Sequence, residues 1–235
     1  MDIVNQTVAW LTDPAHWSGP NGIPVRLTEH IAISAVSLLI ALAIALPIGL
    51  YIGHTGKHTT FAVNSANLWR ALPSLAVIAI VLPITARIDP DAGFKIYPTI
   101  VAMVVLAVPP IMVNTYSGLA GVDRDMLEAG RGQGMNERQI LNGVELPLAV
   151  PVIATGTRSA AIQVVATATL GAVFGFGGLG RYLVNGISQN DKGQIFGGVV
   201  LVAGLVLVTE LGFAIAQHFL TPRGLRLENR SATAN

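Results

Sequence analysis

The stretch E-A-G-R-G-Q-G-M-N-E-R-Q-I-L-N-G-V-E-L-P, from Glu128 to Pro147, decides how the chain reads. It lies in the longest charged segment, Asp123 to Glu145, with very apolar sequence on both sides. Read locally, residues 123–147 are two helices with a break. Asp125 stands where it can cap the first helix, begun by Met126, Leu127 and Glu128, because a short acceptor satisfies the open N–H groups of a first turn. Gly130, Gly132 and Gly134 follow, each weakening a helix by about 1 kcal/mol against alanine. Asn136 with Gln139 three residues on has capping-box spacing, so a second helix starts there and runs through Ile140, Leu141 and Val144 into Pro147. Asp123, Arg124, Asp125, Glu128, Arg131, Glu137 and Arg138 make a surface of mixed sign, unlike a basic lipid-binding helix. Ala129, Gly130 and Gly134 are small enough for another backbone to approach, and Met126, Leu127 and Met135 offer adaptable apolar contacts. The same charges also fit a plain solvated loop with capped helices.

The sequence around this segment is unlike a soluble domain. Of 235 residues, 52% are hydrophobic and 11% charged, against roughly 25% charged in soluble proteins. So little charge cannot cover a water-exposed surface, and lipid must be the solvent for much of the chain. A net charge of +1 argues against a nucleic-acid partner. With no cysteine, disulfides, thiolate metal sites and cysteine nucleophiles are excluded. No G-x-S-x-G, HExxH or paired intramembrane aspartates point to an enzyme, so no catalytic residue and no metal ligand is assigned. Met1–Asn5 lacks a basic n-region, and no cleavable signal peptide is expected.

Five spans are expected. Residues 1–25, with Trp10 and Trp17 among Pro14, Pro20 and Pro24, read as an interfacial segment. Ile31–Gly53 is free of Asp, Glu, Lys and Arg, and its 23 residues exceed the ~20 that cross a bilayer. Gly49 and Gly53 form a GxxxG suited to close helix packing. The second span, about Phe61 to Ile84, carries Arg70 and a kink at Pro73. The third, about Tyr97 to Leu119, is interrupted by Pro109-Pro110 and carries Asn114 and Thr115. The fourth runs from Pro147 to about Phe174 with Arg158, and the fifth from Gln194 to Leu220 with Glu210. Residues 26–222 would then form one transmembrane domain, with a basic tail at 223–235. Lys57, Arg124, Arg131, Arg138, Arg223, Arg226 and Arg230 fall on one side and Arg26, Arg87, Lys95, Arg181 and Lys192 on the other. That bias places the charged segment and tail in the cytoplasm and the N-terminus outside.

Glu128-Ala129-Gly130, then Gly134, then Val144-x-Leu146-Pro147 resembles the EAA motif of bacterial ABC importer permeases: Glu-Ala-Ala, three residues, Gly, nine residues, Ile-x-Leu-Pro. The spacing matches throughout, and Gly130 for Ala and Val144 for Ile are the departures. The resemblance spans residues 28 to 226. It implies an all-α membrane protein with a MetI-like core of five transmembrane helices. It also implies a coupling segment, carried by Glu128, Ala129, Gly130, Gly134, Val144, Leu146 and Pro147, that docks on a separate ATP-binding subunit. ATP would bind that subunit, and this chain would hold no cofactor. A second permease (the same chain or a related one), an extracytoplasmic substrate-binding protein and the bilayer of the cell (inner) membrane are the other implied partners. Glu29-His30, Arg70–Ala76, Pro109–Leu119 and Gly171–Gly180 look like the glycine betaine/carnitine/choline subfamily, which implies uptake of quaternary-amine osmoprotectants. A permease for another small solute, such as methionine, shares the plan.

Pro73, Asn114 and Thr115 are candidates for the translocation pathway, although Asn114 and Thr115 also suit hydrogen bonding between helices. Arg158 and Glu210 read as structural intramembrane charges, paired or at separate interfaces. His30 and His218 stand at span ends and read as interfacial. A quaternary ammonium is best held by aromatic faces, yet aromatics are only 6% of the chain, so selection is expected mainly in the external binding protein. Gly175, Gly177 and Gly180 match G-x-G-x-x-G, but no βαβ unit surrounds them. They instead suit a turn back outside the membrane before a short amphipathic helix near Tyr182–Ile187. An ion-coupled secondary transporter using Arg158 and Glu210 would want inverted repeats, and none is visible.

Overall fold

A computed structural model of the chain describes residues 2–221, without the side chains of Phe61, Ala62, Ser65, Asn67, Arg70 and Ala71. The basic tail at 223–235 and the Arg70 side chain therefore lie outside the described residues. Among the described residues every regular element is helical. In chain order they are α1 (Ile3–Thr12), α2 (Ile23–Thr55), α3 (Thr59–Ala71), α4 (Ser74–Ile88), α5 (Ala92–Lys95), α6 (Tyr97–Ala120), α7 (Arg124–Gly132), α8 (Glu137–Ile140), α9 (Leu146–Ala168), α10 (Gly180–Gln189) and α11 (Lys192–Leu220). Short 3₁₀ turns lie at Pro14–Trp17 and Thr169–Phe174, and a π turn at Leu141–Glu145.

Four stretches are long and apolar enough to cross a membrane: Ile23–Thr55, Ala92–Ala120, Glu137–Phe174 and Lys192–Leu220. The 33 residues of α2 make a rod about 50 Å long, well beyond the ~30 Å hydrocarbon core. The expected second span is not one kinked helix. It is two, with Leu72 and Pro73 between them, and Pro73 sits extended as the N-cap of α4 (φ −63°, ψ 128°). Proline lacks an N–H and disfavours helical geometry in the residue before it, so the break falls at that pair. By contrast Pro109 and Pro110 do not interrupt α6, which runs through both.

The chain divides into two compact units. One comprises Met1–Ile40, Ala71–Ala107 and Ala161–Thr209; the other comprises Ala41–Arg70, Val108–Ala160 and the chain from Glu210. In the first, Trp10, Ile23, Leu179 and Tyr182 form a buried core. Trp10 is thus not the interfacial tryptophan expected. It lies over Gly197, where a Cβ would stand 2.3 Å from its ring, it stacks on His16 at 4.4 Å, and its ring meets Tyr182 edge-on. Trp17 does remain exposed. Burial pushes the Tyr182 phenol up to about 12, and its hydroxyl donates to the Asn21 carbonyl at 2.8 Å.

The glycine-rich loop turns where expected, with Gly175 and Gly178 at φ +90° and +71°, and α10 follows it. Its anchor was not expected. The Glu29 carboxylate accepts from Arg26 at 2.8 Å and from the Gly178 N–H at 2.7 Å. His30 is fully buried rather than interfacial: one ring nitrogen faces the Val165 carbonyl at 2.9 Å and the other accepts from the Leu179 N–H at 3.2 Å. A carbonyl can only accept, so Nε2 carries the proton. Burial is possible because both nitrogens are satisfied.

Candidate coupling site

The second unit holds the charged segment. Asp123, not Asp125, caps α7: its carboxylate accepts from the Asp125 N–H at 2.9 Å. The difference is one of geometry, since Arg124 already has helical dihedrals and the cap must precede it. At the other end Gly134 takes φ +85°. Its N–H donates to the Arg131 carbonyl at 2.9 Å, and the Met135 N–H donates to Gly130 at 3.1 Å. These two bonds make a Schellman motif, which a left-handed glycine allows. Nothing lies within 4 Å of where a Gly134 Cβ would be, so backbone conformation, not space, requires glycine there. Asn136 and Gln139 then form the full capping box at the start of α8, at 2.8 and 3.0 Å.

The two helices fold onto each other. Gly130 is buried against Ile140 and Met135, at 3.0 and 3.3 Å from a notional Cβ. It therefore serves contact within the chain rather than presenting a surface outward. Arg131 bonds Glu137 with both carboxylate oxygens, at 3.0 and 3.2 Å, across the break. That hydrogen-bonded carboxylate holds the Arg131 guanidinium above its ordinary value. Glu128, Ala129 and Gly134 stay exposed, as does Met126, while Val144, Leu146 and Pro147 are half-buried. An open groove of about 470 Å³ lined by Met135, Asn136, Arg138, Gln139, Asn142 and Gly143 marks the outer face of the second helix. The Leu146 N–H reaches back to the Leu141 carbonyl, closing the π turn that leads straight into α9. The segment is thus physically continuous with the span behind it.

Two residues missed at the level of sequence complete the site. Glu145 is the one Asp, Glu, Lys or Arg that is buried among the described residues, at 3% exposure. Its carboxylate meets His54 Nδ1 at 2.5 Å, and His54 Nε2 stands 3.6 Å from Glu137. His54 is in the last turn of α2, 91 residues from Glu145 in sequence. Only the oddity of an acid next to an apolar run, four residues after Leu141, hinted at the pair.

The other candidates are placed as follows. Pro73 is exposed. Asn114 Nδ2 donates to the Pro110 carbonyl at 2.7 Å, and Thr115 Oγ1 to Ile111 at 2.8 Å. Asn114 packs over Gly156, and Thr115, fully buried, packs over Gly49. Gly49 and Gly53 do let α2 and α6 approach closely: a Cβ on Gly49 would lie 2.7 Å from Thr115, and one on Gly53 2.8 Å from Leu119. Arg158 and Glu210 meet as an ion pair joining α9 to α11, with Nε to Oε2 at 2.7 Å and a second contact through Nη2 and Oε1. Gln217 adds bonds from α11 to the Pro151 carbonyl and Thr155 hydroxyl.

The chain is similar to known proteins. A carnitine transport permease protein of Listeria monocytogenes is 34% identical over 202 residues, 86% of this chain and 89% of that one. A choline transport system permease protein of Bacillus subtilis is 36% identical over 198 residues, 84% and 88%. An osmoprotectant import permease protein of Salmonella typhimurium is 32% identical over 91% of this chain and all of that one. Among solved structures, an inward-facing MetNI methionine ABC transporter shares the fold at TM-score 0.74 and 23% identity, over 90% of this chain and 100% of the other. Residues 45–225, which include the whole two-helix segment and its Leu146-Pro147 exit, match the family described as binding-protein-dependent transport system inner membrane component, and the chain belongs to that family of membrane permeases.

Proposed function

We propose that the chain is the permease subunit of an ATP-driven importer for quaternary-amine osmoprotectants such as glycine betaine, choline and carnitine. The observation that carries the substrate class is its 34–36% identity, over most of its length, to permeases named for carnitine and choline. The likeness to a methionine transporter is at 23% identity and concerns fold alone.

In this reading the chain has no chemistry of its own. It crosses the membrane five times, with its N-terminus outside and its tail in the cytoplasm. Glu128, Ala129 and Gly134 present the coupling surface to a separate ATP-binding subunit, and Val144, Leu146 and Pro147 carry its movement into α9. A second permease, identical or related, completes the pathway, to which Pro73, Asn114 and Thr115 contribute. An extracytoplasmic binding protein delivers the solute. That division of labour suits the aromatics present: Trp10 and Tyr182 have their rings packed against Gly197, His16 and each other, not arranged as an open cage for a cation.

The test is reconstitution with the ATP-binding subunit and binding protein of the same system. ATP-dependent uptake of labelled glycine betaine, choline or carnitine is the expected result. Uptake of methionine in their place would overturn the substrate class. Uptake driven by a sodium gradient without ATP would overturn the importer itself.

A further inference from the structure

His54 makes three connections at once. It sits in the last turn of α2, it faces buried Glu145 at 2.5 Å, and its other nitrogen faces Glu137 at 3.6 Å. Glu137 begins α8 and Glu145 closes the π turn, so the two acids bracket the second helix of the coupling segment. Glu137 in turn holds Arg131 of α7. The chain of contacts Arg131–Glu137–His54–Glu145 therefore links both coupling helices to the first long span.

The chemistry of the ring fits a strut. A carboxylate only accepts, so Nδ1 must bring the proton to Glu145. The ring's Nε2 stands 3.6 Å from the second carboxylate. For Glu145 the need is sharper, because a buried carboxylate stripped of its partner is strongly destabilising. A link made only for stability would need one acid. The ring here is set between two, on either side of the segment that must move.

We propose that His54 is a positioning residue that makes α2 and the coupling segment move as one body, so that displacement by the ATP-binding subunit reaches the first span as well as α9. This rests on the coupling reading above.

The absence of cysteine makes a direct test simple. Spin labels are placed on cysteines introduced at the exposed residues Tyr51 of α2 and Gln133, the C-cap of α7, in the full complex with its ATP-binding subunit. Their separation is measured with ADP and with ADP–vanadate. The wild-type distance should stay narrow and unchanged between the two states. In His54→Ala it should broaden and shift with nucleotide, while the ATP-binding subunit still co-purifies. His54→Ala alone should also lower the melting temperature by roughly 10 °C, because it strands the Glu145 charge. His54→Ala with Glu145→Gln removes that charge and should restore melting but not the narrow distance. If the double variant regains the wild-type distance in both states, or if His54→Ala never loses it, the proposal fails. Failure of the coupling reading looks different: Glu128→Ala and Gly134→Leu would leave association with the ATP-binding subunit and uptake untouched, whatever the label distances do.

Discussion

At Gly49 a missing side chain sets a helix contact. A Cβ there would lie 2.7 Å from Thr115 and 2.9 Å from the Met112 carbonyl, so Gly49→Val must push α2 and α6 apart. Overpacking of this kind costs about 1–3 kcal/mol, and a lower melting temperature in detergent should report it. The GxxxG was readable in the sequence; its partner was not, because Thr115 and Leu119 come from more than sixty residues further on. His30 misled for the same reason. It stands near a span end, yet Val165 and Leu179 reach it from distant parts of the chain. Arg158 and Glu210 were visible as intramembrane charges, and only folding shows that they pair. Arg158→Leu strands a half-buried carboxylate and should destabilise by about 2 kcal/mol, below the 3–5 kcal/mol of a fully buried pair. Arg158→Leu with Glu210→Leu should recover most of that loss, again read by melting.

The coupling segment was the most legible element, because its signals are local. A capping box and a glycine break depend on residues within a few positions of one another, so Asn136, Gln139 and Gly134 announce themselves. The two-residue error at Asp125 arose because Asp123 is an equally good cap just before it. Span two shows the opposite limit: one proline in an apolar run specifies a disturbance but not its size, and here it divides the run into α3 and α4. Two outcomes follow at this scale. Asn136→Ala should cost about 1 kcal/mol as the second helix loses its cap. Gly134→Leu forces a branched side chain into a left-handed backbone at about 1–2 kcal/mol. It should leave membrane insertion intact while uptake falls relative to ATP hydrolysis, and normal uptake would count against the docking role of this turn.

For the whole molecule the question is how often and in which sense the chain crosses the bilayer. Hydropathy and length single out four stretches; α4, apolar but only 15 residues, reaches about 22 Å alone, short of the ~30 Å hydrocarbon core. The weak imbalance of Lys and Arg orients the chain in the sequence reading, and that too is open to labelling. Single cysteines at Gly134 and at Asn190, which follows α10, should react with an impermeant maleimide from opposite sides of the membrane. Reaction of both from one side would remove one crossing from the scheme.

The π turn at Leu141–Glu145 also fixes a phase. It fits one residue more into a turn than an α-helix does, and each α-helical residue subtends about 100°. Deleting Gly143 should let α8 and α9 merge into one regular helix. That would turn α8, and with it the α7 that folds onto it, by about a quarter-turn, so that Glu128 and Ala129 leave their present azimuth. Such a variant should still insert yet fail to retain the ATP-binding subunit, because every residue of the motif would be kept and only the spacing between Gly134 and Val144, and with it the rotation, would be wrong.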